Sequence, residues 1–227
     1  MFAWVSFLNN NASNPSVINS HPGTRMTVSL KPRKKPRQRR SKVTCDAILE
    51  AAARILETEG PRNLTTNRIA ENAGVSVGSL YQYFPSKEAI LAELVMALRQ
   101  SLLADMEEAA RGCAGMDLVT AYETLVSASL KHHARRPELA RALESAEMDL
   151  PLNEDFAEIK KKLADVVAKV LIDHDIENAE QTAFDLISLS HGLATAAFQA
   201  GETDLDSLSN RLNRAVGGYL GLPRPSA

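Results

Sequence analysis

Leu64-Thr-Thr-Asn-Arg-Ile-Ala-Glu-Asn-Ala-Gly-Val-Ser-Val-Gly-Ser-Leu-Tyr-Gln-Tyr-Phe-Pro-Ser-Lys87 is the stretch that decides the fold of this chain. Ile69, Ala70, Ala73, Val75, Leu80 and Phe84 are placed to face inward from two short helices, Thr66 to Ala73 and Val77 to Tyr83. Gly74 supplies the left-handed residue that ends the first, the Ser76 hydroxyl caps the second, and Pro85 breaks it. Small alanines sit where the helices must cross closely. This is a helix-turn-helix, and it leaves Thr66, Asn67, Val77, Gly78, Ser79, Tyr81, Gln82, Tyr83 and Lys87 on the outer face.

That face suits a nucleic-acid duplex: hydroxyls and a lysine for phosphates, an amide able to bond adenine bidentately, and a valine able to meet a thymine methyl. A plain core helix is the alternative reading of Val77 to Phe84. Three aromatics in four residues, 81, 83 and 84, cannot all point inward from one helix, so at least one tyrosine is exposed.

Working outward, apolar spacing is helical from Thr44 to the end and nowhere alternates with period two, so the body is all-α. Four prolines (61, 85, 137, 151) punctuate it and the other six lie in the flanks. A first helix runs from a Thr44 cap to Gly60-Pro61. A long fourth helix starts at Ser86 with the stripe Leu91, Leu94, Val95, Leu98, Leu102 and Met106. Further helices are expected over 117–136, from Pro137, over 153–173, 178–200 and 204–220. Residues 1–43, polar, proline-bearing and without apolar period, are expected to be a disordered arm.

The 227 residues carry a net charge of −2, which conceals a split: +9 over residues 1–45 and −11 over the rest. An arm that seeks a polyanion is attached to a body that does not. Cys45 and Cys113 lack zinc or disulfide-framework spacing and fit a reducing compartment. No apolar run reaches membrane-span length, and Phe2 to Leu8 lacks the basic flank of a secretory signal. The five histidines (21, 132, 133, 174, 191) show no metal-ligand spacing. With no phosphate loop, nucleophile elbow or paired-carboxylate signature, no catalytic residue, metal or cofactor is expected.

Three parts of the sequence together, Ala47-Ile-Leu-Glu-Ala-Ala-Ala53, Thr66 with Ile69-Ala70 and Ala73-Gly-Val-Ser76, and Ser79-Leu-Tyr-Gln-Tyr-Phe-Pro-Ser-Lys-Glu88, resemble the TetR-type transcriptional regulators over about residues 44–98. The resemblance implies a three-helix DNA-binding domain (44–90) whose third helix enters the major groove, followed by a helical effector-binding and dimerisation domain (91–227). It implies phosphate contacts from Thr66, Tyr81 and Lys87 with Ser79 and Tyr83 in support, and base reading by Asn67, Val77, Gly78 and Gln82.

Residues 46–90 are themselves net −2, so the basic stretch Lys31 to Lys42 is expected to supply the missing positive charge, its arginines entering a minor groove. Ser188, Gly192, Ala196 and Ala200 recur every four residues and, with Leu205, Leu208, Leu212, Val216 and Tyr219, are expected to build a homodimer interface. Leu98, Leu102, Tyr122, Phe156, Phe184 and His191 are the expected walls of an effector pocket, with plain core as their alternative. The expected protein is a bacterial, cytoplasmic, homodimeric repressor, released from a palindromic double-stranded DNA operator by a small molecule, with no membrane partner. An effector-independent architectural DNA-binding protein and an all-α enzyme are the alternatives.

Overall fold

A computed structural model describes residues 39–147, 149, 150 and 154–222, with backbone only at 39, 40 and 132. Among the described residues the chain is all-α, without a strand, and it divides after Leu94 into two compact units. The basic stretch 31–38 and the rest of the expected arm before it lie outside the described residues.

The first unit holds α1 (Arg39–Thr58), a 3₁₀ turn (Pro61–Asn63), α2 (Thr66–Asn72), α3 (Val77–Tyr83) and the start of α4 (Lys87–Gly112). Helix α1 begins five residues before the expected Thr44 cap, so residues 39–43 are helical and not part of a disordered arm. Arg-Arg-Ser-Lys-Val contains no helix breaker, and the helix propagates back from its buried positions Cys45 and Ile48. Ile48, Ile55, Ile69, Leu80, Phe84 and Ile90 form the solvent-free centre.

Local chemistry sets the boundaries. Thr65 accepts from the Arg68 N–H and Ser76 from the Ser79 N–H, one cap for each short helix. After α2 the Val75 N–H reaches back to the Ala70 carbonyl and the Gly74 N–H to Glu71, with Gly74 at φ +67°, the paired bonds of a glycine-terminated helix.

The second unit contains the rest of α4 with α5 (Leu118–Arg135), α6 (Pro137–Glu147), α7 (Glu154–Ile172), α8 (Ala179–Gln199) and α9 (Leu205–Tyr219). Helix α8 packs on α7 and α9, and α9 also packs on α5. At the α5–α9 crossing a Cβ on Gly217 would stand 2.9 Å from the Tyr122 hydroxyl, so glycine is what lets the helices close. At the end of α7, His174 Nδ1 lies 2.7 Å from the Val170 carbonyl oxygen and Nε2 3.0 Å from that of Met116, tying the α4–α5 turn to α7.

The stripe of α9 corrects the expected dimer interface. Leu208, Leu212 and Val216 are 0%, 1% and 3% exposed in the single chain, buried in a core with Tyr122, Leu125 and Val126 of α5 and Leu186 and Phe198 of α8. Of the expected stripe, α9 buries Leu208, Leu212 and Val216 within its own chain, while Leu205 is half-buried and Tyr219 is exposed. Gly192, Ala196 and Ala200 are exposed, whereas the Ser188 hydroxyl is sealed inside.

Candidate functional site

Helices α2 and α3 bring together residues fifteen apart: the Thr66 and Tyr81 hydroxyls lie 3.2 Å from each other. Tyr81 is 40% exposed although its neighbour Leu80 is fully buried, as the helical period requires. Asn67, Gly78, Gln82 and Lys87 are exposed, and Thr66, Val77, Ser79 and Tyr83 half-buried. Ser79 also has local work, its hydroxyl 2.8 Å from that of the Ser76 cap.

Gly78 has no positive φ, and a Cβ there would meet only the Ser76 hydroxyl, at 3.9 Å. Neither backbone nor packing within this chain asks for glycine at the second position of α3. Its absent side chain leaves close access to the helix backbone from outside.

Charge on this unit is sparse. Arg54 pairs with Glu50 and Arg68 with Glu59, which leaves Lys42, Arg62 and Lys87 without an ion pair among the described residues. The surface therefore offers hydroxyl and amide hydrogen-bonding groups more than positive field.

In the second unit the six expected pocket residues differ in burial. Tyr122 belongs to the core through its contact at Gly217, and Phe156 is buried. Leu98 and Leu102 on α4 and Phe184 and His191 on α8 are half-buried. Sequence reading missed a cluster of buried ionisable groups beside His191. Arg99 donates from Nε (2.9 Å) and Nη2 (2.6 Å) to one oxygen of Glu147, and Lys160 pairs with the other at 3.1 Å. Nearby, His133 Nε2 lies 2.7 Å from Glu144 and its ring stacks on Phe198 at 4.2 Å.

Burial pushes both glutamates up. The His133 hydrogen bond and the Arg99 charge outweigh it for Glu144, and the Arg99 and Lys160 charges for Glu147, so both carboxyls fall below their ordinary value. The His191 imidazole goes below its ordinary value, through burial first and the Arg99 charge second. A signal for these groups exists in the periodicity. Arg99 falls in register with Val95, Leu102 and Met106, and Glu147 with Leu139 and Leu143, positions where an apolar residue is expected. Among the described residues no group of His, Cys, Asp and Glu could hold a metal, and no helix is long and apolar enough to cross a membrane.

Residues 48–94 match the family model described as bacterial regulatory proteins, tetR family, and residues 117–220 match that of the tetracyclin repressor-like C-terminal domain. The nucleoid occlusion factor SlmA of Aliivibrio fischeri (strain MJ11) is 31% identical over 99 residues, 43% of this chain and 50% of that protein. SlmA of Yersinia enterocolitica is 39% identical over 59 residues, 26% of this chain and 30% of that protein. The chain thus spans half or less of the length of these curated relatives. Among solved structures it is similar to a TetR-family transcriptional regulator from Mesorhizobium loti, with TM-score 0.65 and 16% identity over 81% of this chain and 98% of the other. It is also similar to the fatty acid degradation regulator FadR from Bacillus halodurans, with TM-score 0.63 and 18% identity over 84% of this chain and all of the other. At these identities the structural likeness is one of fold.

Proposed function

Because the chain belongs to the TetR family of bacterial regulatory proteins, we propose that it is a DNA-binding transcriptional regulator, a homodimeric repressor released from a near-palindromic operator by a small molecule. The observation that carries this reading is the α2–α3 face, where Thr66 and Tyr81 share a hydrogen bond beside exposed Gln82 and an unobstructed Gly78. Thr66, Tyr81 and Lys87 hold phosphates with Ser79 and Tyr83 in support, while Asn67, Val77, Gly78 and Gln82 read bases. The basic segment before α1 adds the charge that the folded reader lacks. Self-association uses the outward α8 residues Gly192, Ala196 and Ala200, which permit close helix approach.

The effector acts by binding the DNA-free conformation more tightly than the DNA-bound one, since equal affinity for both shifts nothing. Sequencing the genomic fragments retained by the purified protein tests the reading. A shared inverted repeat is expected, and fragments without any common sequence would overturn it. The similarity to the nucleoid occlusion factors favours a second reading, an effector-independent architectural DNA-binding protein. An operator affinity that no small molecule alters would select it.

A further inference from the structure

Helix α3 carries no charged side chain over its whole length, Val77 to Tyr83. Helix α2 carries one cation, Arg68, and Glu59 holds its guanidinium at 2.5 Å. Arg62 and Lys87, which flank the two helices, belong to the 3₁₀ turn before α2 and to the first position of α4. What α2 and α3 do present is a pair of side-chain amides. Four residues with such amides are described in the first unit, and two of them, Asn63 and Asn72, donate to the Glu59 and Arg68 carbonyls at 2.7 and 2.9 Å. The other two, Asn67 and Gln82, are exposed and have no partner among the described residues.

An amide sets one donor beside one acceptor. The major-groove edge of adenine is its complement, because N6 donates and N7 accepts, so both bonds form at once. Guanine offers two acceptors there, O6 and N7, and one of them would face the amide oxygen with no hydrogen between. Arginine or lysine is what reads guanine, and neither α2 nor α3 has a free one. Gln82 also has open space ahead of it. Its Cβ leans toward the turn of Gly78, four residues earlier, where even an added Cβ would meet only the Ser76 hydroxyl, at 3.9 Å. Val77 is half-buried at the start of α3, and thymine is the base that carries a methyl in the major groove. Glu71, the group able to accept from cytosine, lies in the last turn of α2, at the negative end of that helix, where phosphates are repelled.

We infer that the base pairs facing α2 and α3 in each half-site are A·T pairs, with Gln82 and Asn67 each bonded to an adenine, Val77 against a thymine methyl, and no guanine read by either helix. The inference rests on the DNA-binding reading and names the bases that this face takes.

Selection from a random duplex library with the full chain, followed by affinity measurements on the selected site, tests it. A·T pairs are expected at every position whose preference weakens in Gln82→Ala or Asn67→Ala. At such an adenine, 7-deazaadenine, which lacks the N7 acceptor, should cost the parent about fivefold in affinity and the matching alanine variant nothing. Deoxyuridine in place of the thymine that Val77 meets removes one methyl and should cost about fourfold. Because both amides bond to nothing in the free chain, each variant should melt with the parent. A G·C pair at a position that depends on Gln82 or Asn67, full tolerance of either analogue, or preferences that neither substitution moves would each overturn the inference, while a shared inverted repeat would still uphold the regulator. Selected duplexes without any common sequence would instead overturn the sequence-specific reading beneath it.

Discussion

On the proposed DNA-binding reading, stability and recognition pull Gly78 in opposite directions. Alanine is favoured over glycine inside a helix by about 1 kcal/mol, and the structure has room for the methyl, so Gly78→Ala should raise the melting temperature. The same methyl stands where a duplex would approach the α3 backbone, so operator affinity is expected to fall by tenfold or more. Melting and binding measured on one preparation check both halves, and a variant that gains stability without losing affinity removes Gly78 from the interface. Gln82→Ala should instead relax preference at a single base position by about 1 to 3 kcal/mol, while Tyr81→Phe weakens all sequences alike. Binding-site selection distinguishes the two. His174 carries a pH prediction. Both its ring nitrogens face carbonyl oxygens, which only accept, so the two bonds coexist only in the imidazolium, and these bonds to Val170 and Met116 raise its pKa above 6.5. Asp173 and Asp117 act in the same direction. A raised folded-state value means that the stabilisation is complete below about pH 6.5 and fades as pH climbs through the folded value. The melting-temperature advantage over His174→Gln should therefore shrink between pH 6 and 8, and a pH-independent advantage would contradict the imidazolium.

Gly217 and Tyr122 show what holds one helix to another. An alanine methyl at 217 would meet the tyrosine hydroxyl at 2.9 Å and force the buried ring aside, a cost of about 1 to 3 kcal/mol visible in denaturant unfolding. Combining it with Tyr122→Phe, which shortens the ring by the clashing atom, should recover part of the loss; two independent, additive losses would argue against this contact. Gly74→Ala acts differently, through its φ of +67°, and should cost about 1 to 2 kcal/mol without any clash. Elements of this kind were legible in the sequence. The Ser76 cap, the Gly74 turn and the helix starts near 117 and 204 each depend on residues within five positions, and the expected boundaries agree with the observed ones to within one residue at those ends. The start of α1 was not, because nothing local stops a helix before Thr44. Which stripe meets which was not legible either. Leu208, Leu212 and Val216 read as an interface, with an intramolecular core as the alternative, and only the positions of α5 and α8 decide for the core. The Arg99–Glu147 pair joins residues 48 apart, so no window of local pattern contains both.

On the scale of the whole molecule the unequal distribution of charge governs behaviour. Residues 1–38 carry six lysines and arginines and no acid, and removing them leaves α1 intact. Operator affinity of the shortened chain should drop and its dependence on salt should flatten, by about 0.9 in log–log slope for each phosphate that the segment had neutralised. Equal slopes for the two chains would assign the segment no part in binding. The Arg99–Glu147–Lys160 knot bears on heredity as well as on folding. Replacing Glu147 alone takes the carboxylate from buried Arg99, at about 3 to 5 kcal/mol, while an apolar trio of similar volume can be as stable as the original. Each single step from one arrangement to the other passes through a poorly folding chain, so descendants of this sequence are expected to keep the three residues or to lose them together.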